Sequence, residues 1–185
     1  MSDIVEIRSS SNGAWQRIVL NAPPGNLLSL ELVRALGKAL HSLESTRGIK
    51  WLTIEGAAGE FSVGAKIQEH EPGMMATVLP ETHRVIKQVL AFPAPTAALV
   101  DGRCLGAGFE LALACDDILA TEAASFGLPE IRLAAFAPAA AALLPLRVGT
   151  SRATRAIVTG QLQAAEYWHD AGLISMVAPT SSLLD

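Results

Sequence analysis

The sequence predicts an α/β fold built on a mainly parallel sheet. Strand-like segments alternate with helix-like ones, and this alternation runs through two successive turns of a ββα-like unit. No linker or low-complexity tract interrupts it beyond the alanine run 139–142, so a single domain spanning 1–185 is expected.

Residues 4–8 and 15–20 alternate with period two around Asn12-Gly13, which is the signature of a hairpin. A proline- and glycine-rich loop over 21–26 follows. Ser29 then stands as an N-cap before residues 30–43, which align Leu32, Leu36, Leu40 and Leu43 on one helical face. Residues 51–54 read as a short buried strand that ends at Gly56-Ala57-Ala58-Gly59. A helix over 81–90 stops before Phe92-Pro93, and residues 96–100 form a strand. Residues 106–115 form a helix and 117–120 a strand. Short helices are expected over 139–146, 151–159 and 164–171, and a last strand over 174–178.

Half of the residues are hydrophobic, 5% are aromatic and 17% charged, which suits an alanine-rich core and not a disordered chain. The net charge of −4 excludes a general nucleic-acid surface, which needs clustered Lys and Arg. The apolar stretch 97–120 is broken by Asp101, Arg103, Glu110, Asp116 and Asp117, so it is not a membrane span. The N-terminus has neither a basic nor an apolar export region, which leads to the expectation of a cytoplasmic protein. Cys104 and Cys115 sit in core-like surroundings as free thiols. His41, His70, His83 and His169 lack metal-ligand spacing, so no metal is expected. Trp15, Trp51 and Trp168 read as core or interface anchors, and no glycine-rich segment follows a dinucleotide or Walker pattern.

Two carboxylates break this apolar pattern. Glu110 lies inside the run 109–115, directly after Leu105-Gly106-Ala107-Gly108, and Glu130 follows Phe126-Gly127-Leu128-Pro129. A buried carboxylate is costly unless a partner or a reaction requires it. A helix opening at Gly106 leaves the Ala107 N–H without an intrahelical partner, at the positive end of the helix. Glu110, three positions on, shares the face of Ala107. The turn Phe61-Ser62-Val63-Gly64-Ala65-Lys66 offers a second N–H at Ala65. Two convergent donors of this kind form an oxyanion hole.

Phe61-Ser62-Val63-Gly64-Ala65, the segment from Leu105 to Ala112, and Phe126-Gly127-Leu128-Pro129-Glu130 resemble the signatures of the crotonase (enoyl-CoA hydratase/isomerase) superfamily. So do Thr159-Gly160 and the run from Ala164 to Ile174. The resemblance covers nearly the whole chain in order. It implies the crotonase, ClpP-like fold of repeated ββα units and an acyl-CoA substrate. Ala65 and Ala107 would hold the thioester carbonyl through their N–H groups, and Glu110 and Glu130 would act as the catalytic pair on a water between them. Leu28, Ala65, Lys66, Ile67 and Gly106 would contribute to substrate binding. No cofactor is implied beyond the coenzyme A that the substrate carries, and a homotrimer or dimer of trimers is implied as the assembly.

Both glutamates together favour a hydratase. The stretches Glu69-His70-Glu71-Pro72, Leu79-Pro80-Glu81-Thr82-His83, Pro129-Glu130-Ile131-Arg132-Leu133 and Phe136-Ala137-Pro138-Ala139-Ala140 look like those of cyclohexa-1,5-diene-1-carbonyl-CoA hydratases. His70 and His83 belong to this pattern and stand either at the pocket mouth or on the surface, and Lys66 and Arg103 either meet phosphates or, as is more usual for such residues, are solvated. Ala107 departs from the family's usual glycine and adds a methyl beside the carbonyl site. The chain as given ends at Asp185, where relatives carry a further C-terminal helical segment over the acyl pocket. Two alternatives therefore stand: a straight-chain 2-enoyl-CoA hydratase, and a truncated, non-catalytic acyl-CoA-binding or oligomer-forming paralogue.

Overall fold

The alternation at the start of the chain closes as a hairpin, in which β1 (Val5–Ser9) pairs antiparallel with β2 (Trp15–Leu20). This is seen in a computed structural model that describes residues 3–69 and 71–179. β3 (Trp51–Gly56), β4 (Thr96–Val100), β6 (Asp117–Thr121) and β9 (Met176–Ala178) continue the sheet from β2, each parallel to its neighbour. The order is β1-β2-β3-β4-β6-β9. A mainly parallel sheet is thus observed, as expected from strands separated by helices.

α1 (Leu30–Glu44) begins at Ser29, whose Oγ accepts the Leu32 N–H at 3.2 Å. Leu32, Leu36, Leu40 and Leu43 are all buried on its core face. They join one core with Ile18, Leu20, Leu52, Ile54, Ala98, Val100, Ile118 and Ala120 from the sheet. α3 (Ala107–Ala114) is buried at every residue, which explains its unbroken apolar sequence.

Three expectations change. α2 spans Pro72–Leu90, with Pro80 inside it, where the sequence placed a helix over 81–90 only. Proline is a reasonable start signal, but here the buried stripe Val78, Val85, Ile86 and Val89 carries the helix through it. The final strand is shorter than 174–178. Ile174 is already buried in the core, and the ladder with β6 begins at Met176.

The third change is a second, three-stranded sheet that periodicity did not reveal. β5 (Arg103–Leu105) runs parallel to β7 (Ser125–Gly127), which pairs antiparallel with β8 (Gln163–Ala164). Strands of two or three residues are too short to display alternation. α4 (Pro138–Val148), α5 (Thr150–Thr159) and α6 (Ala165–Asp170) fall where short helices were expected. Trp168 is fully buried and edge-on to Phe109, which is edge-on to Phe126. Trp15 and Trp51 are half-buried, and Cys104 and Cys115 are buried free thiols.

Candidate active site

The small sheet and α3 bring the sequence's two glycine turns to one place. β5 delivers the chain to Gly106, whose φ of +51° turns it directly into α3. A side-chain carbon on Gly106 would stand 2.5 Å from Glu130 Oε1 and would displace that carboxylate, and the positive φ is itself one that other residues adopt only with strain. On the opposite side, Gly64 has φ +100°, and a side-chain carbon built on it would lie 3.8 Å from Ala107 N. The Val63-Gly64-Ala65 turn therefore sits against the first turn of α3.

Both backbone donors are oriented by bonds to the carbonyl of their own peptide unit. Leu28 N–H donates to Gly64 O at 2.9 Å, and Glu110 N–H donates to Gly106 O at 2.9 Å. In a planar trans peptide the N–H points opposite to the C=O. Pinning Gly64 O aims the Ala65 N–H away from Leu28, and pinning Gly106 O aims the Ala107 N–H off the start of α3. Ala65 and Ala107 both line a cavity of about 420 Å³.

Glu110 and Glu130 line the same cavity. Glu110 is only 4% exposed, and its Oε1 accepts the Ala139 N–H at 2.7 Å and the Ala140 N–H at 3.0 Å. These are first-turn donors of α4, so the carboxylate rests on the positive end of that helix. Burial pushes its pKa up to about 7. The Ala140 N–H opposes the rise, nearby Glu130 adds to it, and the Ala139 N–H opposes it again. Glu130 is half-buried in a short 3₁₀ turn, Pro129–Leu133.

Gly106 and Ile67 also belong to the cavity wall, together with the apolar Val63, Met75, Val78, Leu79, Leu133 and Phe136. Two expected binding residues do not line it. Leu28 is buried behind Ala65 and acts through its backbone, because its side chain belongs to the core. Lys66 Nζ lies 3.5 Å from Glu69 Oε1 beside the turn. His83 is half-buried outside the wall, and His70 lies outside the described residues. Arg103 is engaged by Glu60: its Nε donates to Oε1 at 2.8 Å and its backbone N–H to Oε2 at 2.7 Å. That carboxylate holds the arginine's pKa up, and the Arg103 guanidinium holds the Glu60 carboxyl down.

Sequence reasoning missed the role of Ala139 and Ala140, since backbone donors leave no mark in composition. It also missed the part of the wall supplied by α2, namely Met75, Val78, Leu79 and Thr82. The Pro72 and Pro80 that obscured α2 are the reason. Among the described residues no group of three or more His, Cys, Asp or Glu is placed to hold a metal ion. Among the same residues, no helix is long and apolar enough to cross a membrane.

Comparison with known proteins matches this architecture. The family model described as Enoyl-CoA hydratase/isomerase matches residues 11–185. The chain is 34% identical over 167 residues to the cyclohexa-1,5-dienecarbonyl-CoA hydratase of Thauera aromatica, covering 90% of this chain and 65% of that protein. It is 35% identical over 171 residues to the 2,3-dehydroadipyl-CoA hydratase of Escherichia coli strain K12, covering 91% and 67%. The crystal structure of enoyl-CoA hydratase from Bacillus anthracis superposes with a TM-score of 0.93 at 29% identity, covering 98% of this chain and 72% of that one. The chain thus spans about two thirds of the length of these relatives. With the family model matching residues 11–185 and relatives at 34% and 35% identity, the chain belongs to the enoyl-CoA hydratase/isomerase family of the crotonase superfamily.

Proposed function

We propose that this chain carries the active site of an enoyl-CoA hydratase, adding water across the double bond of a conjugated acyl-CoA thioester. The observation that carries the reading is the convergence of Glu110, Glu130 and the Ala65 and Ala107 backbone on one mostly apolar cavity. The thioester carbonyl accepts the two N–H groups, which withdraws electrons from the β-carbon. A water held between the glutamates gives one proton to an ionised carboxylate as its oxygen bonds to the β-carbon. The electron pair of the double bond moves onto the carbonyl oxygen as an enolate, and the two N–H groups stabilise that charge. The other glutamate, protonated, then delivers its proton to the α-carbon. With a pKa of about 7, Glu110 can serve on either side of this exchange near neutrality.

For the acyl group we infer a cyclic dienoyl thioester of the cyclohexa-1,5-diene-1-carbonyl type. The Thauera relative is named for that substrate. The Escherichia relative is named for the thioester of a dicarboxylic acid, which keeps one free carboxylate, yet among the described residues the cavity wall has no Lys, Arg or His to receive it. The reaction needs no cofactor beyond the coenzyme A of the substrate. A cytoplasmic homotrimer or dimer of trimers completes the reading, with 1–185 as one domain.

The test is an assay of purified protein against cyclic and linear enoyl-CoAs, followed by loss of the conjugated thioester absorbance. Turnover with the cyclic dienoyl thioester exceeding that with linear ones supports the proposal. Preference for linear thioesters replaces the substrate with the straight-chain alternative. Binding of CoA thioesters without hydration of any of them leaves only the non-catalytic paralogue.

A further inference from the structure

We propose that Ser62 is a positioning residue that aligns the two backbone donors with each other; this rests on the hydratase reading above. Ser62 is fully buried and stands between the segments that carry Ala65 and Ala107. Its hydroxyl donates to Asn26 O at 2.8 Å and accepts the Gly64 N–H at 3.2 Å. The Gly64 N–H and the Gly64 O bonded by Leu28 flank the same α-carbon, so the two bonds together restrict rotation of the peptide unit that presents the Ala65 N–H.

The backbone of Ser62 faces the other donor. It forms a parallel bridge with Cys104, in which Ser62 N–H donates to Arg103 O at 3.0 Å and Leu105 N–H donates to Ser62 O at 2.9 Å. Leu105 directly precedes Gly106 and Ala107. One residue therefore bonds to both donor loops, by its side chain to one and its main chain to the other.

The anchor behind Ser62 is itself buried and held by side-chain hydrogen bonds. Asn26 is 1% exposed and has φ +48°, a conformation that asparagine tolerates better than most residues. Its Oδ1 accepts the Ala22 N–H at 2.9 Å, and its Nδ2 donates to Ala57 O at 3.2 Å and Glu60 O at 2.7 Å. Val63 N–H donates to Gly25 O at 2.9 Å, on the neighbouring peptide. A serine kept only to fill space would leave its oxygen unused. Here the oxygen makes one bond toward the anchor and one toward the turn. The separation of the two donors is thus set by a short, fully bonded path through Ser62.

The experiment compares wild type with Ser62→Ala and Ser62→Cys, whose thiol is a weak acceptor of about the right size. The probe is a CoA thioester with a conjugated aromatic acyl group, whose absorption moves to longer wavelength when its carbonyl is polarised. Both variants are expected to bind it with a reduced red shift, about half that of wild type or less. Their kcat should fall roughly 10–10²-fold while KM stays within about threefold, as for misaligned transition-state donors. Hydrogen exchange at the Gly64 amide should accelerate by about tenfold or more, with the Leu28 and Leu105 amides still protected. A wild-type red shift and wild-type kcat in both variants overturn the role of Ser62 and leave the hydratase reading standing. A wild type that neither binds the probe nor shifts its band removes the hydratase reading, and this proposal with it.

Discussion

Glu110 is held between opposing influences. Burial and the neighbouring Glu130 favour its protonated form, while two α4 backbone N–H groups favour the carboxylate, and the balance lies at about 7. Because the folded pKa is raised above its ordinary 4.5, the group's contribution to stability is fully present below about pH 4.5 and is lost as pH rises through 7. The displacement corresponds to about 3 kcal/mol. Glu110→Gln keeps an acceptor for Ala139 and Ala140 but cannot ionise. Its melting temperature should match wild type near pH 4.5 and exceed it increasingly up to pH 8, as thermal melts across that range will measure; a constant gap would contradict the buried-carboxylate account. Catalysis should move the other way. Glu110→Gln and Glu130→Gln are each expected to lower turnover by roughly 10²–10⁴-fold, as for loss of a general acid or base. The wild-type pH–rate profile should bend near pH 7, and unchanged rates in both variants would remove the two-glutamate mechanism.

At the scale of elements, two carboxylate and hydroxyl caps at one helix end have separable jobs. Ser29 Oγ caps α1 through Leu32, whereas Glu69 Oε2 accepts the Leu30 N–H at 2.7 Å from the turn that follows Ala65. Ser29→Ala should cost about 1 kcal/mol of stability with little change in activity. Glu69→Ala should cost a similar amount but also lower kcat, because it frees the donor turn from α1. Denaturant melts and steady-state rates on both variants distinguish the two, and equal activity in both would sink the assignment to Glu69. α3 illustrates a different economy of design: its eight residues are all buried, so its only polar side chain, Glu110, has no solvated face to occupy. The helix is stabilised by packing, not by propensity or charge.

At the scale of the molecule, the aromatic column of Phe126, Phe109 and Trp168 links the small sheet, α3 and α6. Trp168 is fully buried, and its Nε1 has no hydrogen-bond partner among the described residues. Trp168→Ala should cost about 3–5 kcal/mol through the cavity it leaves. That predicts a fall in melting temperature on the order of 10 °C for a domain of this size. Trp168→Phe should cost clearly less, since it refills most of the space and removes an unpaired N–H. Calorimetry on the two variants checks the order, and a reversed order would contradict the packing account.

Much of this protein follows from its linear order of residues. The hairpin, α1 with its Ser29 cap, β3, β4, α3 and β6 are legible because each spans enough residues to display a period or a boundary signal. The same holds for the isolation of Glu110 in an apolar run and for the glycine turns at 64 and 106, which mark backbone that other residues adopt only with strain. What the tertiary structure alone decided is the meeting of these parts. The short strands β5, β7 and β8 carry too few residues to announce themselves, yet they carry the chain to Gly106 and bring Gly127, two residues before the Pro129–Leu133 turn of Glu130, beside it. The donors that hold Glu110 are backbone groups of α4, twenty-nine and thirty residues away, which no side-chain pattern encodes. Leu28 likewise serves through its peptide N–H and not its side chain. Residue type sets local conformation and burial, whereas the direction of a peptide N–H and the distance between two loops depend on packing across the whole chain.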